Sequence, residues 1–277
     1  MVDDVPRLLL DGLAFPEGPR WHDGRLWFSD VLAAEVLTVD LTGAVDKVVE
    51  VPALPSGLGW LPDGRLLVVS VDDRKVLRLE GDRLVEHADL SALASYGCND
   101  MVVDATGRAW VGACDNAGIP APAPSELMVV DPDGAARVVD PAMAFPNGAV
   151  VTPDQSTLIV AETFGARLTA FSLDGAGGAT DRRTWADLGS GVPDGIALDA
   201  EGAIWYADPV ANACVRVREG GEVLDRVATQ EPCFACALGG PDGTTLFLLT
   251  SGGTDHVRNR EERRGRISTI EVAVPAA

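Results

Sequence analysis

"FPEGPRWHDGRLWFSD", residues 15–30, sets a glutamate between a proline and a glycine, just ahead of two short apolar runs joined by Asp23-Gly24. Proline and glycine around one residue read as a turn, and turns favour small polar residues there. Glu17 is out of place in that slot. The pattern recurs with a different middle residue in "FPNGAVVTPDQSTLIVAE" from Phe145 and in "VPDGIALDAEGAIWYAD" from Val192. More degenerate copies start at Pro55 ("PSGLGWLPDGRLLVVS"), Cys98 ("CNDMVVDATGRAWVG") and Cys233 ("CFACALGGPDGTTLFLLTS").

Each copy reads as a short apolar strand, a turn, and a second strand rich in Trp, Val, Leu or Ile. Third strands are expected at 36–40, 76–79, 127–131, 168–173, 214–218 and 266–272, and fourth strands close most units, as at 48–51 and 84–88. There is almost no helical periodicity. Six units of about forty to forty-eight residues with four strands each describe an all-β, six-bladed β-propeller. The sixth unit runs out after its third strand, while Arg7-Leu8-Leu9-Leu10 precedes the first unit without a partner. The N-terminal strand is therefore expected to close the ring in the last blade, leaving no open edge there. No Ser-rich or charge-rich linker divides the chain, so residues 1–277 read as one domain.

In such a ring the first strand of each blade lines the central channel. The six slot residues, Glu17, Ser56, Asn99, Asn147, Asp194 and Phe234, should then face inward at one mouth. Glu17, Asn99, Asn147 and Asp194 bring two carboxylates and two amides, oxygen ligands that suit Ca²⁺, Mg²⁺ or Mn²⁺ better than a Cys/His zinc site. Asn and Asp are ordinary turn formers, but Glu17 is not, and carboxylates converging without a cation would raise each other's pKa.

In these motifs, "PEGP" at Pro16, "ND" at Asn99, "PNG" at Pro146 and "PDG" at Pro193, in order and at blade spacing, the chain resembles the senescence marker protein (regucalcin), gluconolactonase and luciferin-regenerating enzyme family over essentially its whole length. The resemblance implies one divalent metal in the channel, calcium foremost, with magnesium, manganese, zinc or iron as alternatives. It implies Glu17, Asn147 and Asp194 as direct ligands and Asn99 as a looser one, through water or substrate. Related diisopropyl fluorophosphatase uses a similar Glu, Asn, Asn, Asp set. It further implies a metal-dependent hydrolase that opens a lactone; Asp194 or Asp100 could serve as general base, Asp194 being the family's favoured one, and Asn99 and Asp100 are candidate substrate contacts. A phosphotriesterase-like hydrolase and a non-enzymatic calcium-binding propeller are the alternatives on the same scaffold. One departure stands out. Sugar-lactone members often carry a substrate-binding Arg two residues before the Asn of "ND"; here that position is Gly97. The smaller, less polar wall admits a more hydrophobic lactone or ester.

Composition narrows the partners. A formal charge of −20 argues against nucleic acid, whose phosphates require Lys and Arg, and against anionic membrane surfaces. Five scattered cysteines do not form a disulfide framework, and Cys233-Phe234-Ala235-Cys236 is a lone CxxC read as core packing. His22, His87 and His256 lack HxH or HExxH spacing. No signal peptide or membrane span is read, which gives a cytoplasmic location by default and a small-molecule substrate as the expected partner. Two long second-to-third-strand loops, 115–126 and the Arg-rich 251–266, fall on the metal face by chain parity, as a lid and rim or as plain surface excursions.

Overall fold

The computed structural model describes residues 5–114 and 123–277. Six four-stranded antiparallel sheets stand around an axis. Their innermost strands are Pro16–His22, Pro55–Trp60, Gly97–Val103, Pro146–Val151, Ile196–Leu198 and Cys233–Gly239. Each contacts the next, and the last contacts the first, so the ring is closed. The six-bladed propeller expected from the repeat is the fold observed. In blade 1 the order is Pro16–His22, Arg25–Asp30, Glu35–Val39 and Val45–Glu50, a plain meander. Asp23 and Gly24, both at positive φ, make its first hairpin.

The sixth blade carries the closure. After Cys233–Gly239, Thr245–Thr250 and Gly265–Glu271, its outer position is filled by Arg7–Leu13, paired antiparallel with Arg7 opposite Thr269 and Leu13 opposite Gly265. The seam is sealed by burial: Leu26, Phe28, Leu37 and Val39 of blade 1 pack against Leu13, Phe247, Leu249 and Ile267 of blade 6. Fully burying each such side chain contributes about 1.5–3 kcal/mol. Similar apolar layers separate the other blades, with Trp110 and Trp205 wholly buried among them. Trp27, Trp60 and His22 form a half-buried aromatic stack on the opposite face, with His22 and Trp60 centroids 3.9 Å apart.

The slot itself is not a turn. Glu17, Ser56, Asn99, Asn147 and Phe234 lie inside their inner strands, and in all five blades the ladder slips at the slot or just after it, between Glu17 and Arg20, Pro55 and Leu58, Cys98 and Met101, Pro146 and Ala149, and Cys233 and Ala235. Such bulges re-aim a side chain. The glycine after the slot answers to the neighbouring blade. A Cβ on Gly57 would lie 2.3 Å from the Met101 nitrogen, and one on Gly148 would lie 2.6 Å from that of Ile196. Proline and glycine thus mark where the inner backbones crowd together around the channel.

The Arg-rich 251–266 segment is also more ordered than a loop. It folds into the short helix α1 (His256–Glu262), capped by the Asp255 carboxylate accepting from the Arg258 amide. Three of its five arginines pair with acids: Arg258 with Glu262, Arg263 with Asp30 and Arg264 with Glu231. Of the other long loop, residues 115–122 lie outside the described residues. No helix among the described residues is long and apolar enough to cross a membrane.

Candidate active site

The bulged inner strands bring the slot residues into one connected arc. Ser56 Oγ donates to Asn99 Oδ1 at 3.1 Å, and Asn99 Nδ2 donates to Asn147 Oδ1 at 3.2 Å. Asn147 Nδ2 reaches Thr163 Oγ1 at 3.2 Å, and the Asn147 side chain also hydrogen-bonds Asp194. Blades 2, 3, 4 and 5, far apart in sequence, are joined here through polar side chains. Asn147 and Asp194 are buried, Asn99 and Glu17 half-buried. Glu17 folds back so that Oε2 accepts from the Gly18 amide at 3.1 Å.

Electrostatics ties Glu17 and Asp100 to the same centre. Burial and the negative charge of Asp100 push the Glu17 carboxyl up to about 8, against the smaller opposing pull of the Gly18 amide and Arg20. Burial, then Glu17, then Asp100 hold Asp194 well above the usual carboxylate range, and the Asn147 hydrogen bond only partly offsets this. Two carboxylates with raised proton affinity, Glu17 driving that of Asp194 and Asp100 driving both, favour a positive charge beside them, from protons or from a cation. Among the described residues, no group of three or more His, Cys, Asp or Glu is placed to hold a metal ion. A cation here would therefore depend on amide oxygen beside the two carboxylates, an all-oxygen set that fits a hard ion.

Asp100 does not stand free beside them. Its Oδ1 accepts from the Met101 amide at 2.7 Å and from Arg20 Nη2 at 3.1 Å. Arg20 also donates to the Met101 and Pro19 carbonyls, so it ties blade 1 to blade 3 across the channel. Sequence reasoning missed Arg20, yet the signal was present. Three residues after the slot the other blades carry Gly59, Val102, Val150, Ala197 and Ala237, and blade 1 alone carries a charge. Thr163 was also missed; its hydroxyl donates to the Pro193 carbonyl at 2.8 Å while receiving Asn147. Nothing in its sequence position, next to a strand-ending Glu162, marks it.

The mouth is partly aromatic. Phe234, the buried slot residue of blade 6, lies 4.8 Å from Phe15, and the exposed His256 of α1 lies 6.1 Å from Phe15. Phe145 and Phe164 meet edge to face at 4.9 Å beside blade 4. Behind Gly97 stands Val71, whose Cγ1 would lie 3.2 Å from an added Cβ. Cys236 is buried with its Sγ toward the Gly195 and Trp205 carbonyls, as core packing requires.

Comparison with known proteins agrees with the propeller fold. The model of the SMP-30/Gluconolactonase/LRE-like region matches residues 15–252. A pentonolactonase from Haloferax volcanii is 29% identical over 258 residues, covering 90% of this chain and 86% of its own. A 6-deoxy-6-sulfogluconolactonase from Pseudomonas putida is 27% identical, over 85% of this chain and 82% of its own. Among solved structures, a calcium-binding regucalcin from Agrobacterium tumefaciens superposes with a TM-score of 0.83 at 23% identity, over 99% of this chain and 95% of that one.

Proposed function

The chain belongs to the SMP-30/gluconolactonase/LRE-like family, and from that premise we propose that it is a lactonase, hydrolysing a lactone at the mouth of its central channel with the help of one divalent cation. The observation that carries this reading is the hydrogen-bonded arc of Asn99, Asn147 and the buried Asp194 with the half-buried Glu17 electrostatically linked to it, two carboxylates with raised proton affinity beside amide oxygens. The names of the Haloferax and Pseudomonas relatives support the reaction class. The calcium-binding Agrobacterium relative supports calcium as the ion.

Glu17, Asn147 and Asp194 would hold the cation, with Asn99 contributing through water or substrate. When bound, such an ion polarises an ester carbonyl and makes nearby water more acidic. The chain supplies the rest. Asp194 has a second carboxylate oxygen with which to take the proton of the attacking water, provided that water comes within about 2.6–3.2 Å. The water oxygen bonds to the carbonyl carbon, the ring C–O bond breaks, and the proton passes to the departing ring oxygen, giving a hydroxy acid. Asn99 can donate toward substrate when it releases Asn147. Asp100, its Oδ1 engaged by Arg20, contributes charge at the substrate-facing wall.

Sugar lactones follow from the relatives. The aromatic pair Phe15–Phe234 and the Val71 wall behind Gly97 favour a second substrate group, lactones bearing an apolar substituent. The test is turnover of pentono- and gluconolactones, an alkyl γ-lactone and a phosphotriester, before and after chelation and cation add-back. Lactone hydrolysis that needs the cation and is lost in Glu17→Gln is expected. Full lactone turnover by Glu17→Gln after chelation overturns the site assignment; cleavage of the phosphotriester alone overturns the substrate class.

A further inference from the structure

Three of the six blades end their second strand in a buried carboxylate, and they are the blades that carry Glu17, Asn147 and Asp194. Asp30 stands opposite Pro16 and Glu162 opposite Pro146, each pairing with the residue just before the slot. Asp208 ends the corresponding strand of blade 5. All three reach back to the chain that leads into the slot. Asp30 accepts from the Ala14 amide at 3.0 Å and the Phe15 amide at 2.7 Å. Glu162 accepts from the Ala144 amide at 2.8 Å, and Asp208 from the Val192 amide at 3.1 Å. In every case the bonded amide lies two or three residues ahead of the slot residue.

The other three blades differ at this one place. Blade 2 has Ser70, whose buried hydroxyl has no partner, blade 3 has Ala113, and blade 6 has Thr250. Their slots hold Ser56, Asn99 and Phe234. The lead-in of blade 3 is held instead by an exposed bond from the Ser95 amide to Glu126 on its third strand. Backbone bonds between the two strand ends recur without regard to the slot, from Val31 to Phe15, Val71 to Leu54, Thr163 to Phe145 and Ser251 to Pro232. General blade closure therefore does not need the carboxylate. Buried carboxylates are costly unless fully hydrogen-bonded, and charge-assisted bonds to backbone amides are among the stiffer ties a loop can have.

Building on the proposed cation site, we infer that Asp30, Glu162 and Asp208 are positioning residues: each clamps the lead-in of one ligand so that Glu17, Asn147 and Asp194 are held at the channel mouth before the ion arrives. Preorganisation of this kind is read in ion affinity rather than in fold.

The experiment is calorimetric titration of the full-length protein with Ca²⁺, Mn²⁺ and Zn²⁺ in turn, at a temperature where melting curves show every variant folded. Asp30→Asn, Glu162→Gln and Asp208→Asn are compared with Ser70→Ala and Thr250→Val, and with Glu17→Gln. The clamp variants are expected to weaken the preferred cation about 10- to 100-fold, while Ser70→Ala and Thr250→Val stay within about twofold of wild type. If any clamp variant is too unstable, the pair of Asp208→Asn and Asp208→Ala suffices, with the amide recovering part of the affinity the alanine loses. Clamp variants that bind like wild type while Glu17→Gln does not overturn this inference alone. Equal weakening by the Ser70 and Thr250 changes overturns it as well. A wild type that binds no cation, or a Glu17→Gln that binds normally, overturns the cation site and the inference with it.

Discussion

Replacing Glu162 by Gln should cost stability that fades as the solution is acidified. The Glu162 side chain has no exposed surface, and burial alone would raise its pKa. The Arg167 fork (two bonds of 2.9 Å), the Ala144 amide and the Thr169 hydroxyl overcome this, and Arg182 adds bonds of 3.1 and 3.2 Å. The net result is a carboxyl lowered from 4.5 to about 2. A folded-state pKa below the unfolded one means stability that is complete above the unfolded pKa and lost as pH falls through the folded one. The shift corresponds to about 3 kcal/mol at neutral pH. That is an upper value, because Arg167 and Arg182 are 37% and 32% exposed and water screens their charge. Urea unfolding of wild type and Glu162→Gln at pH 7.5 should differ by up to this amount. Near pH 3, between the two pKa values, the gap should shrink to roughly 1 kcal/mol. A difference that stays constant from pH 7.5 to 3 would show that packing, not charge, is what the substitution removes, and the reasoning fails.

Two further substitutions probe the channel. Gly57→Ala places a methyl 2.3 Å from the Met101 nitrogen, and should cost about 3 kcal/mol or prevent folding, whereas Gly64→Ala, at φ +85 with nothing within 4 Å, should cost about 1 kcal/mol; urea midpoints compare them. Arg20→Met strips Asp100 and the Met101 carbonyl of their shared donor and should lower unfolding free energy by about 1–3 kcal/mol, with an unchanged urea midpoint as the refuting result.

The fold was legible because the repeat is written in residues whose reasons are local. Asp23-Gly24 makes a hairpin wherever it stands, and the unpartnered Leu8-Leu9-Leu10 needed an edge that only the short sixth blade offered. The slot residues were legible for the same reason, since an ordered set of "PEG", "PNG" and "PDG" points to equivalent corners of a ring. Their local conformation was misread: proline and glycine suggested a turn, but the glycine answers to the backbone of the next blade, which no local pattern shows. The helix α1 was missed because seven residues give too short a period to stand out, and its cap, Asp255, looks like any loop residue. Arg20 and Thr163 act across blade boundaries, so their roles depend on contacts between positions tens of residues apart.

A propeller builds six equivalent corners from one pattern, yet a site needs those corners to differ. The chain meets both demands at separate positions. Glycine or a small residue after the slot, the bulge and the buried second strand keep the blades alike, which closes the ring. The slot residue and the residue behind it at the end of the second strand vary in part together: Glu17, Asn147 and Asp194 have a buried carboxylate behind them in blades 1, 4 and 5, while Ser56 and Phe234 of blades 2 and 6 do not, and Asn99 of blade 3 is the one amide without it. Blades 1 and 4 stand opposite one another in the ring and blade 5 adjoins blade 4, so these carboxylates are spread around the axis rather than clustered in neighbouring blades, and the charge of Glu17 still raises the proton affinity of Asp194. Arg20 is the one arginine or lysine in the inner strands; its hydrogen bonds go to Asp100 and to the Met101 and Pro19 carbonyls, and it only weakly opposes the raised Glu17 carboxyl. Among the described residues, no basic side chain is hydrogen-bonded to either ring carboxylate, a need that protons or an external cation can meet, and it is this competition that the chelation and titration experiments read.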